Sequence, residues 1–289
     1  MALMTREGID IYYEDTGTGY PIIWSHEFGG DYRSWEPQVG YFSRTHRNIA
    51  YSNRGFPGSS APEDPAAYSQ EILLDDLHAL MQHLAIDRAH IVGLSMGASI
   101  AVNFGMHHPE LCASLTLASG GSGTVSRAEF ETQAHALVSA FLEHGMEAAA
   151  QALAGGPTRV PLKLKDPKGY DVFFANLLEH DPVAMAHVYE NVQLKRPTFY
   201  QLEDGLRRLE VPTLIMVGDE DEPVIDPALF LKRTIPGAGL RIFPRSGHCI
   251  NLEEPAEFNA QLARFFDAVE RGKWVDPSAR PADIPGTAR

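Results

Sequence analysis

His90-Ile91-Val92-Gly93-Leu94-Ser95-Met96-Gly97-Ala98 carries the clearest structural signal in the chain. A short apolar strand runs into Gly-x-Ser-x-Gly, and an almost wholly apolar helix from Met96 to Met106 follows. That context fits a strained strand-to-helix turn that presents a serine hydroxyl above a sheet, with Gly93 and Gly97 leaving room for the chain to reverse. The helix amino terminus beneath the serine favours developing negative charge. Ser95 is the candidate nucleophile.

Working outward, short apolar runs alternate with helical patterns. Ile9 to Tyr13, Pro21 to Trp24 and Asn48 to Tyr51 read as strands, and a helix is expected from Trp35. Leu73, Leu77, Leu80, Met81 and Leu84 form one apolar helix face, and Ser114 to Leu117 reads as a further strand. From about residue 124 to 208 the pattern is helical only, for example Phe130 to Leu153 and Tyr170 to Leu194. Alternation resumes with a strand at Thr213 to Val217, a helix at Pro227 to Ile235, a strand at Leu240 to Phe243 and a helix at Glu254 to Arg271. Such units predict an α/β fold with a mostly parallel sheet and helices on both faces. The helical stretch is then a cap over the carboxyl edge of the sheet, where such folds bind ligands. The expected division is a catalytic domain of 1–123 and 209–272, a helical cap of 124–208, and a polar, poorly ordered C-terminal tail of 273–289.

With 289 residues, 44% of them hydrophobic, the chain can bury a large core without disulfides. A net charge of −14 argues against nucleic-acid binding and against docking on anionic membranes. Two cysteines, Cys112 and Cys249, exclude a disulfide framework and favour a reducing compartment. The first residues hold no apolar stretch of signal-peptide length, and Leu214 to Val217 falls far short of a membrane span. A soluble, cytoplasmic protein is expected. No metal-binding motif stands in the sequence, so neither a metal nor another cofactor is expected.

A serine hydroxyl is a weak nucleophile and needs a base. Of the 12 histidines, most read as solvated residues on polar helix faces. His248 differs: Ser246-Gly247-His248 follows the last expected strand, on a loop from which a base can reach an elbow serine. The base needs a carboxylate to fix its tautomer. Gly218-Asp219-Glu220-Asp221-Glu222-Pro223 supplies acids after the preceding strand, and position alone does not choose between Asp219 and Asp221. The order serine, acid, histidine suits this type of site.

On these motifs, together with Glu254-Pro255 and Phe258, the sequence resembles the capped members of the α/β-hydrolase superfamily over roughly residues 5 to 120 and 209 to 270. The resemblance implies a mostly parallel eight-stranded sheet flanked by helices, with the helical cap inserted after the sixth strand. It also implies that Asp221, fourth in its turn, is the acid. The family's oxyanion loop appears as Ser25-His26-Glu27-Phe28-Gly29-Gly30, with Glu27 where glycine is usual, and the backbone N–H groups of Phe28 and Met96 are its implied oxyanion donors. The family's Arg-Gly-x-Gly-x-Ser stretch appears as Arg54 to Ser59, with Pro57 replacing the second glycine.

A carboxylate about 4 Å from an oxyanion would oppose it by about 4 kcal/mol at an effective dielectric near 20. Glu27 is therefore expected to point away from Ser95 or to be neutralised, with Arg54 its candidate partner. The expected function is a cofactor-free serine hydrolase that cleaves a small ester or lactone through an acyl-enzyme. Carbon–carbon hydrolysis of a diketone and perhydrolysis are the alternatives on the same triad, and a non-catalytic ligand receptor is the reading from another class. A serine elbow disfavours epoxide hydrolase and haloalkane dehalogenase chemistry, in which a carboxylate is the nucleophile. The expected partner is a small-molecule substrate, with a homodimer through the cap or last helix as a family analogy.

Overall fold

The structure, a computed structural model, describes residues 2–121, 123 and 126–274. An eight-stranded sheet has the order β1-β2-β4-β3-β5-β6-β7-β8. Its strands are β1 (Ala2–Arg6), β2 (Ile9–Thr16), β3 (Tyr20–Ser25), β4 (His46–Tyr51), β5 (Ala89–Leu94), β6 (Cys112–Ala118), β7 (Thr213–Gly218) and β8 (Gly239–Phe243). The pairs β1·β2 and β2·β4 are antiparallel and the remaining pairs are parallel. The first strand has no signature in the sequence pattern, because only Met4 of its five residues is buried. It is a hairpin edge, turned back by Glu7 and Gly8, both at positive φ.

The helices before the insert are α1 (Glu36–Phe42), α2 (Gln70–His83) and α3 (Met96–His107). Central strands look uniformly apolar, yet they sort their side chains with a period of two. Ile23, Ile91 and Ile215 face one core with Leu73, Leu77 and Ile100. Trp24, Val92 and Met216 face the other, with Trp35, Phe42, Phe258 and Phe266. Both faces of the sheet are thus covered.

Between β6 and β7 stand α4 (Arg127–Ser139), α5 (Gly145–Ala154), α6 (Val160–Lys165), α7 (Pro167–Leu178), α8 (Pro182–Val188) and α9 (Glu203–Leu206). No strand occurs among the described residues of this insert. Its two long expected helices are each broken. A π-turn at Ala140–His144 and Gly145 at positive φ divide the first, and Asp181, which caps α8, divides the second. After β7 come α10 (Glu222–Thr234), α11 (Ile250–Glu253) and α12 (Pro255–Glu270). Helix α10 begins well before Pro227, which lies inside it, so Asp221 stands at the helix cap.

Of the expected tail, residues 275–289 lie outside the described residues, while Trp274 packs its ring 4.6 Å from that of Phe265 and belongs to the core. No helix among the described residues is long and apolar enough to cross a membrane.

Candidate active site

Ser95 sits at φ 55°, ψ −105°, between β5 and α3. The two glycines of the motif have separate reasons. A Cβ on Gly93 would collide with the carbonyl of Gly97, and a Cβ on Gly97 would collide with the carbonyl of Ser25. The elbow is therefore wedged against the end of β3, and only hydrogen atoms fit at the two contacts. The Ser95 side chain makes no capping hydrogen bond to α3, so its hydroxyl is free of the helix it starts.

His248 Nδ1 stands 2.7 Å from Asp221 Oδ2. A carboxylate only accepts, so Nδ1 carries the hydrogen and Nε2 is left as the basic nitrogen. Asp219 has a different duty, its Oδ1 accepting the backbone N–H of Ser246 at 3.3 Å. Ser95, His248 and Asp221 line one cavity of about 490 Å³ beneath the insert, and Phe28 lines it too. No hydrogen bond joins Ser95 Oγ to His248 among the described residues. Neither the Phe28 nor the Met96 N–H donates to another group among them either, which leaves both donors open.

The base loop is held from outside. Glu253 accepts the N–H of Gly247 at 2.8 Å and that of Cys249 at 3.2 Å, bracketing His248 on either side. Burial pushes the Glu253 carboxyl up, while these N–H groups and Lys165 oppose that. From the insert, the Thr158 carbonyl accepts the N–H of His248 at 2.9 Å, and Lys165 Nζ donates to Ser246 Oγ at 2.8 Å and to Glu254 Oε1 at 2.7 Å. The sequence reading missed Glu253, whose role depends on a chain reversal that no local pattern announces. Cys249 is fully buried and its thiol is pushed up by burial, so it offers no second nucleophile.

Two expectations are corrected. Arg54 does not meet Glu27; it makes a buried two-pronged pair with Asp76, at 2.6 and 2.7 Å. The fully buried Glu27 instead accepts the Ser34 hydroxyl at 3.1 Å, and burial pushes its carboxyl up towards the neutral form. Nor are the other histidines all solvated: His26, His90 and His180 are buried. His26 Nδ1–H donates to the Glu27 carbonyl at 2.7 Å while Nε2 accepts the Asn53 N–H at 3.0 Å, which ties the oxyanion loop to the end of β4. Burial lowers its pKa to about 4.

From the insert, the apolar side chains of Phe130, Leu137, Leu153 and Tyr189 line the cavity. Tyr189 and Phe141 also meet the ring of Phe28 edge-on, at 4.7 and 6.1 Å, and so brace the oxyanion loop from above. Arg159 and Gln193 line the same cavity and were not singled out by sequence, since nothing local distinguishes them from surface residues. A separate cavity of about 320 Å³ lies between the loop after Gly29 and α7, and contains none of the triad residues. No cluster of metal-ligating side chains occurs among the described residues.

The chain belongs to the alpha/beta hydrolase family, whose pattern matches residues 22–261. Among curated relatives, a 2-hydroxy-6-oxononadienedioate/2-hydroxy-6-oxononatrienedioate hydrolase of Burkholderia vietnamiensis is 27% identical, over 88% of this chain and 90% of its own length. Among solved structures, Est816, described as an N-acyl homoserine lactone degrading enzyme, is 28% identical with a TM-score of 0.79, covering 91% of this chain and all of its own. A structure from work on carboxylesterases of Nitrososphaera gargenis has a TM-score of 0.84 at 23% identity, covering 94% of this chain and 100% of its own, a likeness of fold.

Proposed function

We propose that the protein is a serine hydrolase that cleaves a small carboxylic ester or lactone through an acyl-enzyme. One observation carries this reading: an elbow serine opens into the same cavity as a histidine whose other ring nitrogen is 2.7 Å from a buried aspartate. His248 Nε2 takes the Ser95 proton as Oγ attacks the carbonyl carbon. The displaced electron pair rests on the carbonyl oxygen, facing the Phe28 and Met96 N–H groups, each such donor lowering the barrier by about 3–4 kcal/mol. Collapse expels the alkoxide, which takes the proton from His248. Water then attacks the acyl-enzyme with His248 again as base, releasing the acid and restoring Ser95. The two free, buried cysteines suit a reducing, cytoplasmic setting.

The Burkholderia relative favours a second reading, hydrolysis of a carbon–carbon bond on the same triad. A panel of esters, lactones and diketones, run beside fluorophosphonate labelling, separates the readings. The expected result is covalent labelling and ester or lactone turnover, with turnover falling on the order of 10⁶-fold in Ser95→Ala and labelling lost. Turnover of the diketones alone would move the assignment to the second reading. An unlabelled, inactive protein that still bound a small molecule would make it a receptor.

A further inference from the structure

Arg159 is 7% exposed and has no carboxylate partner within ion-pair distance among the described residues. Its Nη1 donates to the neighbouring Thr158 hydroxyl at 3.2 Å, and its Nε is buried with no acceptor at all. The same side chain lines the cavity of Ser95 and His248. Its place is set, not incidental: Thr158 is clamped to the His248 backbone, and the guanidinium lies over the ring of Phe173 at 5.9 Å. Gln193, 4% exposed, lines the cavity as well, and its Oε1 also lacks a partner. An unpaired buried cation is costly to a fold unless a ligand completes it.

The charges around this end of the cavity leave Arg159 uncompensated. Glu27, buried nearby, is held towards its neutral form. Glu129, Glu222 and Asp226 line the cavity too, but all three are exposed, where water and salt screen them. The lining thus sets exposed acids, and an Asp221 already paired with His248, beside one buried guanidinium and one buried carboxamide. A guanidinium offers a fork of N–H donors that matches a carboxylate.

Resting on the hydrolase reading above, we infer that the substrate is an ester or lactone bearing a free carboxylate away from the scissile carbonyl, and that Arg159 is the residue that selects it. Gln193 adds its carboxamide N–H to the same group once the amide is turned so that Nε2, in place of the unpartnered Oε1, faces the carboxylate.

The test compares matched pairs. On the acyl side, mono-4-nitrophenyl glutarate is set against 4-nitrophenyl pentanoate; on the alcohol side, 4-acetoxybutanoate is set against pentyl acetate. The wild-type protein should prefer the carboxylate member of at least one pair in kcat/KM. Arg159→Gln should shrink that preference by roughly 10- to 100-fold, mainly through KM, and Arg159→Lys by less. Glutarate binding, followed by calorimetry, needs no turnover and should weaken in step. Fluorophosphonate labelling of Ser95 in each variant reports an intact elbow. A wild-type preference for the neutral member of both pairs, or a ratio that Arg159→Gln leaves unchanged, overturns the inference while leaving the hydrolase reading standing. Glutarate binding lost in Arg159→Gln, in a protein that fluorophosphonate never labels, would keep the subsite and overturn the hydrolase.

Discussion

Ser95 and His248, the proposed nucleophile and base, stand on loops built in opposite ways. The Ser95 elbow is a local object. Its strand, its turn, its glycines and its helix are consecutive in the chain, and its strain is held by backbone atoms of Gly97 and Ser25 against which nothing larger than hydrogen fits. The His248 loop is an assembled object. Asp221 comes from the turn after β7, Glu253 from α11, and Thr158 and Lys165 from the helical insert. The two loops differ in what places them: close steric contacts set Ser95, whereas hydrogen bonds from distant segments, the insert among them, set His248.

The sharpest way to break that comparison is Glu253→Ala. It removes both acceptors that bracket His248, leaving the Gly247 and Cys249 N–H groups unpaired. A misplacement of about 1 Å in a catalytic group can cost roughly 10²-fold, and a loss in kcat of that size is expected here, with KM nearly constant. Glu253→Gln keeps one acceptor and should recover part of the loss. Fluorophosphonate labelling should slow in parallel, because the elbow is intact but its base has drifted. If kcat were unchanged in a folded Glu253→Ala protein, the base loop would be as self-sufficient as the elbow.

Legibility follows the same line. Gly93-Leu94-Ser95-Met96-Gly97 announces itself because its strand, turn, glycines and helix are consecutive, although Ser25 and His26 brace it from the end of β3, and His248 is marked by its place after the last strand. The choice of Asp221 over Asp219 was beyond position alone, since both stand on the same turn; only the family resemblance pointed to Asp221, and the fold places it against His248. Glu253, Arg159 and the Glu27–Ser34 contact were invisible, because each depends on which distant surface covers it. In the fold, β1 offers no period to read for want of buried residues; the π-turn at Ala140–His144 keeps the helical period nearly intact across the first break of the insert, while the second falls at the Asp181 cap, inside the apolar pattern of Tyr170 to Leu194.

The oxyanion loop lies between these extremes, and acid tests it. His26 bridges the Glu27 carbonyl and the Asn53 N–H as a neutral ring, with a pKa lowered by burial to about 4 from an ordinary 6.5. Its folded pKa lies below its unfolded one, so this contribution is complete above pH 6.5. As pH falls from there towards 4 the unfolded chain takes up a proton that the folded one declines. Stability should fall by about 1.4 kcal/mol per unit, or about 3 kcal/mol over the window. Glu27 and Glu253, with raised pKa values, pull the other way as they protonate first in the folded state. The difference between wild type and His26→Gln isolates the histidine: denaturant midpoints between pH 7 and 4.5 should decline more steeply in the wild type, by about one proton. Parallel slopes would mean that the folded ring takes up its proton as readily as the unfolded one.

Glu27→Gln should have the smallest effect, and its size decides whether the oxyanion loop belongs with the elbow or the assembled loop. The carboxyl is fully buried, accepts the Ser34 hydroxyl through Oε1, and has an unpartnered Oε2. Glutamine keeps the acceptor and the shape and fixes the neutral state that burial already favours. At neutral pH, kcat on a neutral ester should change by less than about threefold, because burial already pushes the carboxyl towards the form that glutamine mimics. Any divergence between the two proteins should appear at high pH, where the wild type alone can ionise at this position and lose turnover that the glutamine variant keeps. A rise of orders of magnitude at neutral pH would instead reveal a carboxylate already opposing the oxyanion by up to about 4 kcal/mol. Ser34 would then fail to hold it neutral, and the loop's electrostatics would be set by residues elsewhere in the fold.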